Sequence, residues 1–235
     1  MISFFEEQLA AYYLVAETYK NKDDKWIAHM IHKESGAQFL MRSFVGNAAP
    51  YQALLPVCHP NLPQVYEAIQ EGERAFVIEE FIEGDSVGEM LAETTFTTKE
   101  VKQIALDLCE ALGVLHSLGI VHRDVKPENI LLRGAHAVLI DMDASRLQEG
   151  EKNRDTTILG TVGYAAPEQF GISQTNDKAD IYALGVTMNQ MLTGEHPSTK
   201  LAKGRFGRII SKCTMVHPGK RYQSVLELKE AMQGL

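Results

Sequence analysis

The sequence predicts an α+β fold of two lobes, a small antiparallel β-sheet in residues 1–82 and a mainly helical lobe in residues 83–235. Three observations lead there. Between Tyr12 and Phe81, short apolar runs alternate with polar or Gly-containing turns, as strands and their connections do. Residues 83–85, with Gly84 at their centre, end that pattern. Beyond them apolar residues recur with a period near 3.6, the spacing of helices buried along one face.

In chain order, the strand-like runs are residues 12–15, 26–31, 38–45 and 75–81. Residues 45–62 contain Pro50, Pro56 and Pro60, and proline inside a helix removes a donor and clashes with the preceding turn, so no long regular helix is expected there. Thr97 and Glu100 have the spacing of a capping box. Val101, Ile104, Ala105, Leu108, Cys109, Leu112 and Leu115 then form one apolar stripe, which predicts an amphipathic helix. Further helices are expected at 177–192, 205–213 and 224–232. The longest stretch without a period is 148–174, and loops of that length in compact domains tend to be functional.

Composition narrows the function. A 45% hydrophobic chain of 235 residues can fill a sizeable core. Its formal net charge of −8 argues against nucleic-acid or anionic-membrane partners, which call for a basic face to displace counterions. Cys58, Cys109 and Cys213 are odd in number, far apart and lack histidines at metal-ligand spacing, so buried thiols in a reducing, cytoplasmic setting are expected. No apolar run approaches the roughly 18 residues of a membrane span, and no basic N-terminus precedes an apolar segment as in a signal peptide. The oligomeric state is left open.

Residues 120–132 read I-V-H-R-D-V-K-P-E-N-I-L-L, with Asp124, Lys126 and Asn129 at fixed offsets between two apolar runs. Singly, these residues have plain structural readings: a turn cap, a solvated charge, an amide bonding a loop carbonyl. Together, with Asp141 following the strand-like 137–140, they resemble the catalytic loop of a bacterial-type Ser/Thr protein kinase domain. The resemblance implies ATP as donor, a protein substrate or partner, and Mg2+ with Mn2+ as the alternative ion. It further implies that Asp124 accepts or orients the substrate hydroxyl proton, Lys126 steadies the transferring phosphoryl, and Asn129 and Asp141 hold the metal. Such chemistry suits these residue types because the transition state is loose and its charge lies on peripheral oxygens, which positioned cations stabilise.

The match continues towards the C-terminus. Residues 160–169 read G-T-V-G-Y-A-A-P-E-Q and resemble the end of an activation segment, anchored by Ala166, Pro167 and Glu168. Asp180 and Gly185, in D-I-Y-A-L-G, resemble the buried helix supporting the catalytic loop, and Arg221, in H-P-G-K-R-Y, resembles the partner of Glu168. His122, Glu168, Asp180 and Arg221 are therefore expected to be structural. Thr161 is expected to bond Asp124 and Lys126, as in Ser/Thr enzymes. Thr156 and Thr157 lie where a phosphate would pair with Arg123, an unmodified polar loop being the alternative.

The first lobe departs from the family pattern. Residues 27–44 form two strands around a Ser35-Gly36 turn, and their register puts Arg42 where kinases carry the ATP-binding Lys. Arg keeps the charge but changes the geometry offered to phosphate. Lys20, Lys22 and Lys25 stand at the three glycine positions of the phosphate-covering loop, where close backbone approach normally requires Gly. No acidic residue lies between Glu34 and Glu67, so the usual helix glutamate is missing. Residues 76–85, F-V-I-E-E-F-I-E-G-D, resemble the hinge that takes adenine through backbone groups of Glu80 and Ile82, with Glu79 at the back of that pocket and Arg42 as its expected partner. After Asp141 the familiar Phe-Gly is Met142-Asp143. Met fills the Phe socket, and Asp143 would accept a left-handed backbone or add an oxygen ligand. The segment 194–208 is short for a substrate-docking helix. Two readings stay open: a Ser/Thr protein kinase of full or reduced activity, and a pseudokinase acting as a binding or scaffold module. A small-molecule kinase fits the 161–168 segment less well.

Overall fold

The computed structural model describes residues 11–22, 24–147, 161, 163–170 and 175–235. Most of the unpatterned stretch 148–174, including Thr156, Thr157 and Gly160, lies outside them. The described residues form two compact units, one comprising those up to Cys58 with Pro63–Glu83, the other His59–Leu62 with Gly84–Leu235.

The first unit is a five-stranded antiparallel sheet in the order β1-β2-β3-β5-β4. Its strands are β1 (Tyr13–Lys22), β2 (Lys25–His32), β3 (Gln38–Val45), β4 (Val65–Glu71) and β5 (Arg74–Glu80). Successive side chains point to opposite faces. Ala28, Met41 and Ile78 stand opposite one another in the ladder, and with Met30, Tyr13 and Trp26 they make the apolar cluster of one face. Ile27, Arg42 and Val77 share the other face with Leu40 and Glu79. The proline-rich segment forms only a six-residue helix, α1 (Ala49–Leu54), with Pro50 in its first turn, where a missing N–H costs nothing.

In the second unit the capping boxes are present as real bonds. Ser86 and Glu89 start α2 (Val87–Glu93), and Thr97 and Glu100 start α3 (Thr98–Ser117). The predicted α3 stripe is buried from Val101 to Leu115. Each of its leucines contributes about 1.5–3 kcal/mol by leaving water. Two short ladders follow, β6 (Ile120–Val121) with β9 (Arg146–Leu147), and β7 (Ile130–Arg133) with β8 (His136–Leu139). Then come α4 (Lys178–Thr193), α5 (Gly204–Cys213) and α6 (Val225–Gln233). Most of α4 is buried, as its nearly continuous apolar sequence requires, and it stops at Gly194, whose φ of 73° suits glycine.

One expectation is corrected here. Cys109 and Cys213 are buried, but Cys58 is exposed, because it ends the segment that follows α1 rather than lying on a core-facing stripe. Among the described residues, no helix is long and apolar enough to cross a membrane.

Candidate active site

The loop between β6 and β7 holds His122, Asp124, Lys126 and Asn129, and α4 fixes it from below through one carboxylate. Asp180, fully buried, accepts hydrogen bonds from the backbone N–H of His122 at 2.9 Å and of Arg123 at 2.8 Å, and it meets His116 Nε2 at 2.8 Å. Burial pushes its carboxyl up. The His116 hydrogen bond and charge, with the Arg123 amide, outweigh that and hold it below the usual carboxylate range. His122 adds a second tie, since its Nε2 lies 3.2 Å from the Ile140 carbonyl while its Nδ1 accepts from the Asp124 N–H at 3.3 Å. These bonds assign the Nε2–H tautomer. Thr187 donates to the Val125 carbonyl at 3.3 Å.

Asp124, Lys126 and Thr161 close a triangle. The Thr161 hydroxyl donates to Asp124 Oδ1 at 2.7 Å and accepts from Lys126 Nζ at 2.7 Å, while Lys126 lies 2.7 Å from Asp124 Oδ2. Burial pushes the Asp124 carboxyl up, but the Lys126 and Thr161 bonds and the Lys126 charge hold it below the usual carboxylate range. Asp124 is thus ionised at neutral pH although largely enclosed.

Asn129 uses its amide nitrogen twice, donating to the Asp124 carbonyl at 2.8 Å and to Asp124 Oδ2 at 3.0 Å. This orientation leaves its side-chain oxygen as an acceptor. The Ile140 N–H donates to the Asn129 carbonyl at 2.9 Å, which brings Asp141 to the same place. An amide oxygen and a carboxylate are the hard donors that Mg2+ or Mn2+ takes, so the donor types of Asn129 and Asp141 fit such an ion. Asp141 has φ of 67° and Arg123 φ of 70°, the positive-φ residues other than glycine among those described. Such backbone strain costs about 1–3 kcal/mol and persists where surrounding bonds over-determine it. The left-handed residue is therefore Asp141 and not Asp143, whose N–H instead bonds Asp141 Oδ1 at 3.3 Å. Met142 is buried.

Glu168 and Arg221 form a bidentate pair at 2.6 and 2.8 Å, with Arg221 side-chain exposure of 0%. Arg221 also donates to the carbonyls of Met215, Lys178 and Val216, so its donors are satisfied. Two contributors escape sequence reasoning. Gln169 accepts from the Ala166 N–H at 2.9 Å and donates to the Arg123 carbonyl at 3.1 Å, joining the end of the segment to the strained loop residue. His116 is the other, and its signal was its place one turn beyond Leu112, where the α3 stripe meets α4.

The first unit carries the remaining candidates. Arg42 Nη2 lies 2.5 Å from Glu79 Oε1 with side-chain exposures of 2% and 3%, and its guanidinium lies 5.6 Å from the centre of the Tyr51 ring. The partner expected for Glu79 is present. β1 and β2 pair down to Lys22↔Lys25, so Lys20, Lys22 and Lys25 sit on one hairpin. The Glu80 N–H donates to the Gln64 carbonyl at 2.8 Å, and Ile82 follows the last ladder pair, Phe39↔Glu80.

Known proteins resemble this chain along most of its length. The family model described as protein kinase domain matches residues 14–231. Serine/threonine-protein kinase C of Synechocystis sp. is 29% identical over 75% of this chain and 37% of its own length. Ribosomal protein S6 kinase alpha-6 of Danio rerio is 37% identical over 68% of this chain and 22% of its own length. Serine/threonine-protein kinase pkn2 of Myxococcus xanthus is 29% identical over 74% of this chain and 21% of its own length. The chain matches well under half the length of each of these curated relatives.

Proposed function

Because this chain belongs to the protein kinase family, we propose that it transfers the γ-phosphoryl of ATP to a serine or threonine hydroxyl of a protein substrate. The single observation that supports this most is the closed Asp124–Lys126–Thr161 triangle. Residues 1–82 serve as the nucleotide lobe and 83–235 as the catalytic and substrate lobe.

Asp124 orients the incoming hydroxyl and takes its proton, and its lowered pKa keeps it ionised for that task. Lys126 neutralises charge on the transferring phosphoryl while holding Thr161 in place. Asn129 and Asp141 would hold Mg2+ or Mn2+, which would supply charge neutralisation at the phosphates. Glu79 orients Arg42 for the nucleotide, and Glu80 and Ile82 meet the adenine through main-chain groups. Free thiols at Cys58, Cys109 and Cys213 accord with a cytoplasmic setting, and burial pushes Cys109 up to about 12, which keeps it unreactive.

The test is incubation with γ-labelled ATP, Mg2+ and a mixed peptide pool, followed by phosphoamino-acid analysis. Phosphoserine or phosphothreonine is expected, and phosphotyrosine alone would overturn the assignment.

A second reading, a pseudokinase acting as a scaffold, is favoured by one specific observation. The hairpin bearing Lys20, Lys22 and Lys25 offers phosphate only flexible ammonium groups, and Arg42 is already engaged inside its own unit. Arg42→Lys separates the two. Changed turnover supports a working nucleotide cation; turnover absent in both forms, with no ATP-induced thermal shift, supports the scaffold.

A further inference from the structure

The chain is acidic overall, yet residues 200–212 carry Lys200, Lys203, Arg205, Arg208 and Lys212 without one acidic residue. Lys200 lies 3.5 Å from Glu195, and Lys212 covers the Tyr222 ring at 4.0 Å. Among the described residues, none pairs with Lys203, Arg205 or Arg208, and all three are exposed.

These cations stand on a fixed platform. Asn189, fully buried in α4, donates to the carbonyls of Glu195 at 2.7 Å and Lys200 at 2.8 Å, and accepts from the Ala202 N–H at 2.9 Å. The Ala202 carbonyl then packs so closely on α5 that a β-carbon on Gly207 would lie 1.8 Å from it. A cavity of about 440 Å³ opens beside this platform, with Leu192, Phe206 and Leu235 in its apolar part, Thr98 and Thr193 as polar edge, and Lys203 and Arg205 as basic edge. The sequence-adjacent carboxylate of Glu100 is committed to capping Thr97 and does not neutralise them. Leu201 and Met215, also nearby in the chain, are 42% and 40% exposed.

The geometry points to a docking groove for an acidic peptide segment of a partner protein, which seats one apolar side chain between Leu192 and Phe206 while its carboxylates pair with Lys203 and Arg205. Charge complementarity selects this occupant: a basic or neutral segment gains nothing from two unpaired cations, whereas an acidic one is both steered and held. The groove lies at the N-terminal end of α3 and the C-terminal end of α4, whereas Asp180 lies in the first turn of α4 and Thr187, in its middle, bonds the Val125 carbonyl beside Asp124. At 1.5 Å per residue, the stretch of α4 from Asp180 to Leu192 sets Asp180 about 18 Å from the groove. None of the residues lining the groove belongs to the Asp124–Lys126–Thr161 triangle or is Asn129 or Asp141, so the groove serves as a tether and not in phosphoryl transfer.

The test measures binding and not turnover, so its failure is distinguishable from failure of the kinase assignment. A fluorescein-labelled oligoglutamate peptide with one central leucine is titrated with the full chain and followed by anisotropy. Saturable binding is expected, weakened by salt, weakened when the leucine is replaced by serine, and weakened about tenfold or more in the joint variant Lys203→Glu, Arg205→Glu. Lys220→Glu, a surface charge reversal outside the groove, is expected to bind as the wild type does, and circular dichroism checks that each variant is folded. No binding by the wild type, or equal binding by the joint variant, overturns the proposal.

Discussion

Thr161 has a hydroxyl that both donates to Asp124 and accepts from Lys126, so removing it loosens two groups at once. A bond of this kind contributes about 1–1.5 kcal/mol, which corresponds to roughly tenfold in rate. Thr161→Ala is therefore expected to lower kcat by about that factor with little change in unfolding temperature, and Thr161→Ser to restore most of it. The Asp124 carboxyl makes a sharper prediction. Its folded pKa lies below the ordinary value, so the stability it contributes is present above the unfolded value and is lost as pH falls through the folded one. Lys126 supplies a hydrogen bond and a charge that oppose the upward push of burial. In Lys126→Met that push is less opposed, and the acid limb of kcat/KM is expected to move towards neutral pH. A limb that stays in place would remove Lys126 as the group holding Asp124 ionised.

Between elements, the decisive contacts are buried ion pairs, and what they contribute depends on how they are broken. Arg221 joins the segment after α5 to the 3-10 turn at Pro167–Phe170, and Arg221→Ala leaves the Glu168 carboxylate without its bidentate partner. A loss of about 3–5 kcal/mol in urea unfolding is expected. Arg42 and Glu79 join β3 to β5 in the same way. Glu79→Ala should cost a similar amount, while the joint Arg42→Met, Glu79→Leu variant should come close to wild-type stability, because no charge is left buried alone. The pair was legible as a deficit, since no acidic residue between Glu34 and Glu67 could have served Arg42. Helix α3 was legible because its cap and stripe agree. By contrast α2 was missed although Ser86 and Glu89 spell a capping box, because only Val87 among its residues is buried and no stripe follows. Strand β4 was missed because it lies at the sheet edge with Tyr66 exposed, and β1 runs on to Lys22 through backbone pairing with β2, with no apolar alternation to announce it. Gln169 was invisible for another reason: its partner is a main-chain carbonyl forty-six positions away, and no side-chain pattern encodes that.

For the whole chain, the two units stand differently towards the proposed chemistry. The second unit contains Asp124, Lys126, Asn129 and Thr161 joined by short bonds, Asp141 next to Ile140, whose N–H bonds the Asn129 carbonyl, and the Asp180 and Arg221 supports. The first unit carries Lys20, Lys22 and Lys25 on the β1–β2 hairpin and pairs Arg42 with Glu79. Nucleotide binding at saturation is expected to raise the unfolding temperature, since a ligand at about 100 times its Kd adds roughly 2.7 kcal/mol to stability. The central claim concerns the competence of the second unit's cluster, and one rate tests it most directly. It is the initial rate of phosphoryl transfer from ATP, with Mg2+, to a serine- and threonine-containing peptide pool, measured for the wild type and for Asp124→Ala with matched unfolding temperatures. Transfer by the wild type, with a fall of about 100-fold or more in the variant, is predicted; equal rates, or no transfer by a folded wild type, would contradict it.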